Sequence, residues 1–368
     1  QSAVTALNGT YTLSGMGAGS YVVTPSKTGD DQGALTGFDS ACIAQYVVAQ
    51  AGGCMTSPSP TAAQTTVADV SGNSTITSFD AALISRYAAS LPGFGNTGQW
   101  RFTPISTPYL NVNTNYTGQN YVALLMGDVT GNWINGLATR PAPIFPEGER
   151  AMRISAPSIS APVGTEVTIP VDTQDTTGRR ILSYEFDLRF DPQVLEPAAN
   201  AVDLTGTIGE GQSVTVNSLE RGKLRVVVYG TNALIGAGHL LNLKFNVIGD
   251  VNETSDLTWE SFNINEGGIN FEVMNGRVAV RAASNDAAIA GRVLSAAGQP
   301  VGGATVTLVD TNGQTRTART SSLGNFRFAE LTVGQTYTVS VSAKRYTFAS
   351  QTVSVTGDAV TLDMIAEQ

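Results

Sequence analysis

The 368-residue sequence has one histidine, two cysteines and four lysines (Lys27, Lys223, Lys244 and Lys344). Acids outnumber bases 30 to 21, for a formal net charge of −9, and no cluster of Lys and Arg is available to neutralise phosphates. Nucleic acid is therefore not expected as a partner. Ser-His-Asp or Cys-His catalysis would have to run through His239, which opens the apolar run "GHLLNLKF" and reads as a strand-edge residue. The HExxH, GxSxG, GxxxxGK and GxGxxG patterns are all missing, so the chain is not expected to be an enzyme. No run approaches the ~18 apolar residues of a membrane span. No charged-then-apolar leader opens the chain, so any signal peptide is expected to have been removed already.

Thr, Ser, Gly, Val and Asn are plentiful and suit β structure with many turns. Residues 1–26 hold two strand-like runs, about Thr10–Leu13 and Ser20–Thr24, around a Gly-rich turn. Residues 27–138 change to helical periodicity between polar loops, and the Pro-rich stretch 139–151 reads as a linker. From Met152 onward, apolar residues alternate with period two. A break at 282–288 divides this β region into 152–282 and 287–368. In "SYEFDLRF", Tyr184, Phe186, Leu188 and Phe190 share one face. Cys42 and Cys54, twelve apart, fall on a helical stretch and just beyond its end. A disulfide pinning the helix end fits that spacing and an oxidising setting, and a pair of reduced, buried thiols is the alternative.

Two internal repeats stand out. "TGDDQGALTGFDSACIAQYVV" (28–48) aligns with "DVSGNSTITSFDAALISRYAA" (69–89), and "NGTYTLSGMGAGSYVVTPS" with "LGNFRFAELTVGQTYTVSVS" (323–342). In the second copy of the first repeat, Asp69, Ser71, Asn73, the Thr75 carbonyl and Asp80 stand at positions 1, 3, 5, 7 and 12 of a calcium loop. A capped helix start would explain the same stretch without a metal. The first copy has Thr28 at position 1 and keeps Asp30, Gln32, the Ala34 carbonyl and Asp39. A third fragment, "GDVTGNW" (127–133), offers Asp128, Thr130 and Asn132 but no acid at position 12, and is either half a loop or a turn.

"DVSGNSTITSFDAALISRY" resembles a dockerin repeat, with 28–48 as its degenerate partner. Residues 152–282, through "SYEFDLRFDPQVLEP" and "HLLNLKFNVIG", resemble a cohesin domain, the jelly-roll sandwich of nine strands that receives dockerins. Residues 287–368 resemble carboxypeptidase regulatory-like (Cna B-like) domains, usually stiff spacers in surface proteins, and residues 1–26 look like part of another. Some relatives carry a Lys–Asn isopeptide cross-link, but here the first strand lacks the Lys and the last lacks the Asn. These resemblances imply a mainly β, multidomain chain. It would hold a small α-helical calcium-loop module, a jelly-roll β-sandwich, and a C-terminal seven-stranded Ig/transthyretin-like β-sandwich.

The function they imply is that of an extracellular structural protein on a bacterial surface, stabilised by Ca2+. It would assemble head to tail with copies of itself, by dockerin–cohesin docking or by strand complementation at the N-terminal half-domain. The alternative is a scaffoldin-like module anchoring enzymes that carry their own dockerins. Carbohydrate binding has little support, because Trp100, Trp133 and Trp259 are scattered in sequence and no pair of acids stands out.

Overall fold

The computed structural model describes residues 1–6, 8–55, 59–134, 150–282, 287–355 and 359–367. The 139–151 linker lies outside them except for Arg150 and Ala151.

The N-terminal region opens with strand β1 (Gly19–Val23), followed by helices α1 (Gly37–Val47), α2 (Ala62–Ala68) and α3 (Ser78–Ala88). Strands β2 (Trp100–Thr103), β3 (Thr107–Val112) and β4 (Val122–Leu125) follow. The repeat in sequence is a repeat in structure. Thr36 and Thr77 cap α1 and α3 with the same extended backbone, each hydroxyl accepting an N–H of the first turn. Asp39 and Asp80 close the capping boxes from the third helical position. Thr61 and Gln64 form the same box on α2. Residues 1–26 do not stand apart as a separate β segment. Thr10–Leu13 forms no strand, and β1 pairs antiparallel with β3, inside the region that follows. A lone strand with open edges takes the nearest available partner.

The first sandwich begins with β5 (Met152–Ser155), β6 (Ser158–Pro162), β7 (Glu166–Thr173), β8 (Ser183–Arg189), β9 (Leu195–Asp203) and β10 (Ser213–Asn217). It continues with β11 (Lys223–Tyr229), β12 (Gly238–Val247), β13 (Thr254–Ile264), β14 (Phe271–Met274) and β15 (Gly276–Arg281). One sheet runs β10-β11-β8-β13-β15-β6 and the other β14-β5-β7-β12-β9. The two ends of the domain run side by side: β5 pairs parallel with β14, and β6 with β15. The first and last strands thus each break once and cross from one sheet to the other. Counted as single strands, they leave nine in the jelly roll. Tyr184, Phe186, Leu188 and Phe190 all point into its core, as the alternation requires.

The second sandwich starts with β16 (Ala287–Leu294), β17 (Thr305–Asp310), β18 (Thr315–Arg319) and β19 (Asn325–Leu331). It ends with β20 (Thr336–Ser342), β21 (Gln351–Ser354), β22 (Ala359–Thr361) and β23 (Met364–Ile365). The last two are short pieces of one edge, both parallel to β16. Gly291 permits that crossing, since a Cβ there would fall 1.7 Å from the Leu362 carbonyl oxygen.

Candidate functional site

In the 69–80 loop, Asp69 Oδ1 accepts the Gly72 and Asn73 N–H groups at 2.9 and 3.1 Å and the Ser71 hydroxyl at 3.2 Å. Its Oδ2 accepts the Ser74 N–H at 2.8 Å. Buried Asp80 receives the Ser71 N–H on Oδ1 and the Thr77 N–H on Oδ2, both at 2.9 Å. Asn73 Oδ1 turns back onto the Thr75 N–H at 2.8 Å. The two ends of the loop are therefore cinched together through Ser71.

The 28–39 stretch is built differently. Asp30 is exposed, with its Oδ2 2.6 Å from Lys27 Nζ, and it also contacts the Gln32 amide. Ala34 is buried in a small cluster with Leu35 and Leu125. Asp39 turns to the third fragment instead. Its Oδ1 accepts the Val129 and Thr130 N–H groups at 3.1 and 3.3 Å, and its Oδ2 accepts the Thr36 N–H at 3.0 Å.

Asp128 then repeats Asp69 atom for atom. Its Oδ1 accepts the Gly131 and Asn132 N–H groups at 2.8 and 3.1 Å and lies 3.4 Å from the Thr130 hydroxyl, while Oδ2 accepts the Trp133 N–H at 3.1 Å. "DVTGN" (128–132) is thus the polar half of a loop whose closing acid, Asp39, stands at the start of α1. The loop is split across the chain.

A group from the first sandwich enters this split loop. Glu266 Oε1 lies 3.1 Å from the Thr130 hydroxyl and 3.3 Å from that of Thr36. Asn265, at φ 45°, holds the turn by accepting the Leu182 and Ser183 N–H groups, and Glu266 follows at φ 59°. The Thr130 hydroxyl therefore has three carboxylate oxygens within 3.4 Å, from Asp39, Asp128 and Glu266. It has a single proton to donate. Burial, then the facing Glu266, holds the Asp39 carboxyl well above the usual carboxylate range. Burial raises Glu266 as well. Both polar atoms of the Asn132 side chain are buried without a hydrogen-bond partner, and the amide lies close enough to Glu266 to offset part of that rise. With Thr130 between them, no three carboxylate, imidazole or thiolate groups among the described residues are spaced to hold a metal as they stand. The donor set is nonetheless all oxygen, as a hard cation requires.

The same region meets the β10-β11-β8 face. Outward-facing Tyr229 and the neighbouring Leu182 are buried in one cluster with Ala41, Cys42 and Ile43 of α1. Outward-facing Val227 is buried with Ala88 and Ala89 at the end of α3. Glu185 Oε2 accepts the N–H of Gly37, the first residue of α1, at 3.2 Å, and Asn217 Nδ2 donates to the Ala89 carbonyl at 2.8 Å. The sandwich thereby satisfies a free helix start and a free helix end. Gln45 Nε2 donates to the Thr231 carbonyl at 2.9 Å, and the Ser85 and Thr215 hydroxyls are 2.9 Å apart.

Cys42 and Cys54 form a disulfide. Trp100 and Trp133, distant in sequence, meet edge to face at 4.8 Å, and Lys27 Nζ sits 4.1 and 4.0 Å from their ring centres. Trp259 is packed in the core of the first sandwich. His239 is exposed on β12, with Nδ1 2.5 Å from Asp172.

The sequence offers 127–133 as half a loop or a turn but gives Asp39 to the 28–39 stretch, and it points to none of Glu185, Asn217 and Glu266. A usable signal for the split was the near-identity of "DVSGN" (69–73) and "DVTGN" (128–132). Nothing local marks Glu266.

Residues 152–273 match the family model of the cohesin domain, and residues 288–366 that of the carboxypeptidase regulatory-like domain. The first sandwich thus matches a cohesin domain and the second a carboxypeptidase regulatory-like domain. No curated protein matches the chain. Among solved structures it is similar to a non-cellulosomal cohesin from Archaeoglobus fulgidus, at 23% identity over 36% of this chain and 93% of that one, TM-score 0.31. It is also similar to the sixth cohesin of Acetivibrio cellulolyticus scaffoldin B, solved in complex with the Cel5 dockerin, at 20% identity over 36% and 100%, TM-score 0.31. A third similar structure is the OlpA cohesin–dockerin complex of Clostridium thermocellum, at 19% identity over 36% and 99%, TM-score 0.32.

Proposed function

We propose that this chain, with its cohesin and carboxypeptidase regulatory-like domains, is a secreted structural subunit of a bacterial surface or matrix. In this reading the helical region is a dockerin-like plug, stabilised by Ca2+, that docks on the cohesin sheet. The observation that carries it is the contact itself. Val227 and Tyr229 face outward from β11, yet are covered by the ends and flanks of α1 and α3. Open sheet faces of soluble domains seldom leave such apolar residues for water.

The contact described is made within one chain. Plug and socket are different surfaces, so exchanging the contact between copies gives a heterologous interface that runs head to tail. The two-stranded β1–β3 ribbon offers a second route through strand addition. For the Ca2+, Asp69, Ser71, Asn73, the Thr75 carbonyl and Asp80 would supply oxygens in the contiguous loop. Bound there, the ion would hold the capped start of α3 against the loop. Electron microscopy and light scattering of purified protein, in calcium and in chelator, test the assembly. Filaments that shorten in chelator are expected. Monomers at every concentration in calcium would reduce the reading to a self-docked unit.

Anchoring of foreign dockerins would compete for the same sheet, and capture of one by the intact chain would favour that alternative. Carbohydrate binding loses its clearest platform, since Lys27 already occupies the space beside Trp100 and Trp133.

A further inference from the structure

We propose that the split loop holds a second hard divalent cation, and that Glu266 of the cohesin domain is one of its ligands, so that a single ion ties plug to socket. This deepens the docking reading above and rests on it. It differs from a calcium loop that merely shapes the plug, because here a ligand comes from the other side of the interface.

Three observations converge. First, Asp128, Thr130 and Asn132 sit in the same hydrogen-bonded frame as Asp69, Ser71 and Asn73, and Asp39 stands where Asp80 stands. The frame is a loop of the calcium type assembled from two chain segments. Second, oxygens of Asp39, Asp128 and Glu266 all lie within 3.4 Å of the one Thr130 hydroxyl. Each oxygen accepts another hydrogen bond from its own side, but the one Thr130 proton is all that stands between the three carboxylates, and it can serve only one of them. A cation in their midst, with Thr130 turned aside, would satisfy all three. Third, the Asn132 side-chain oxygen is buried without a partner, and the amide lies beside Glu266. An unpaired buried oxygen is costly, and coordination through Oδ1 would remove part of that cost. The contiguous loop has no counterpart to Glu266: Asp69 and Asp80 are its acids, and its other oxygens are neutral. The split site has three carboxylates, and affinity for Ca2+ rises with the number of charged ligands.

The test uses the full chain, stripped with chelator and titrated with Ca2+ by calorimetry. A parallel titration uses Tb3+, whose emission Trp133, directly beside the Asp128 loop, is placed to sensitise. The parent chain is expected to bind one ion in each loop. Glu266→Gln should weaken the split site by about tenfold or more and leave the contiguous site unchanged. Asp128→Asn should remove the split site, and Asp69→Asn the contiguous one while keeping the sensitised Tb3+ signal. Circular dichroism of each variant checks that it folds. A Glu266→Gln titration that overlays the parent's would overturn the role of Glu266, and a parent that binds no ion outside the 69–80 loop would overturn the site. Either result is separable from failure of the assembly reading, which would appear as monomers in calcium whatever the titrations show.

Discussion

At the residue scale the interface is most sensitive where its backbones are closest. A Cβ on Gly37 would lie 2.9 Å from Val227 Cγ1 and 3.5 Å from the Val228 carbonyl oxygen. Val227 is β-branched and stiff, so it cannot swing aside cheaply. Gly37→Val should therefore weaken docking by about 1–3 kcal/mol, the usual cost of overpacking, and leave the cohesin sandwich folded. Faster proteolysis of the helical region, with the sandwich itself protected, would show it. Glu185, beside Gly37, gives a pH handle. Burial raises its pKa, against the bonds from Asn263 and Gly37 that lower it. A raised folded value favours the neutral acid. The stability this contributes is fully present below the ordinary glutamate value of about 4.3 and is lost as pH rises through the raised one. In saturating calcium, thermal stability should fall across that window in the parent and fall less in Glu185→Gln, whose amide oxygen still accepts the Gly37 N–H. Equal slopes would assign the pH dependence elsewhere.

At the element scale, the helices show what was readable in the sequence and what was not. Thr-x-Phe-Asp occurs twice, and both copies became capped helix starts with matching geometry, because a capping box uses only residues three apart. The partner of the first box was not readable, because it lies about ninety residues downstream in a fragment with no helix of its own. Contiguous spacing predicts Asp30 and Gln32 as companions of Asp39, whereas the fold brings Val129 and Thr130 to it. Periodicity did place Tyr184, Phe186, Leu188 and Phe190 on the inner face. In β11 the alternation that buries Leu224, Val226 and Val228 leaves Val227 and Tyr229 on the outer face, where only the fold supplies their cover. The disulfide closes a short loop at the end of α1, with a sequence separation of 12. Chain entropy for such a loop is worth roughly 3 kcal/mol, so Cys42→Ser with Cys54→Ser should lower the stability of the helical region by about 2–3 kcal/mol. Denaturant unfolding followed by helical circular dichroism would measure it. Thr77→Ala, which removes the cap of α3, should cost about 1 kcal/mol in the same assay.

At the scale of the whole molecule, the cores decide which parts unfold together. The C-terminal sandwich has a core made only of its own residues, from Ala287 to Met364. The helical region is less independent, because its main cluster takes in Leu182 and Tyr229 from the cohesin domain. Its smaller cluster at the end of α3 takes in Val227. In calcium, the helical region and the cohesin domain should therefore melt as one unit, with the C-terminal sandwich separate. An ion present at about a hundred times its Kd contributes about 2.7 kcal/mol to the state that binds it. For a joint unit of the helical region and the cohesin domain, each kcal/mol moves the midpoint by about 2–4 °C, so chelation should lower its transition by on the order of 5–10 °C. The cohesin sandwich, with its large core, should then melt after the helices, and the C-terminal transition should not move. Scanning calorimetry in calcium and in chelator separates these cases. If the helical transition moved but stayed merged with the sandwich, the apolar contact alone would hold the modules together. If the two came apart on chelation, the ion would be part of the joint, as proposed for Glu266.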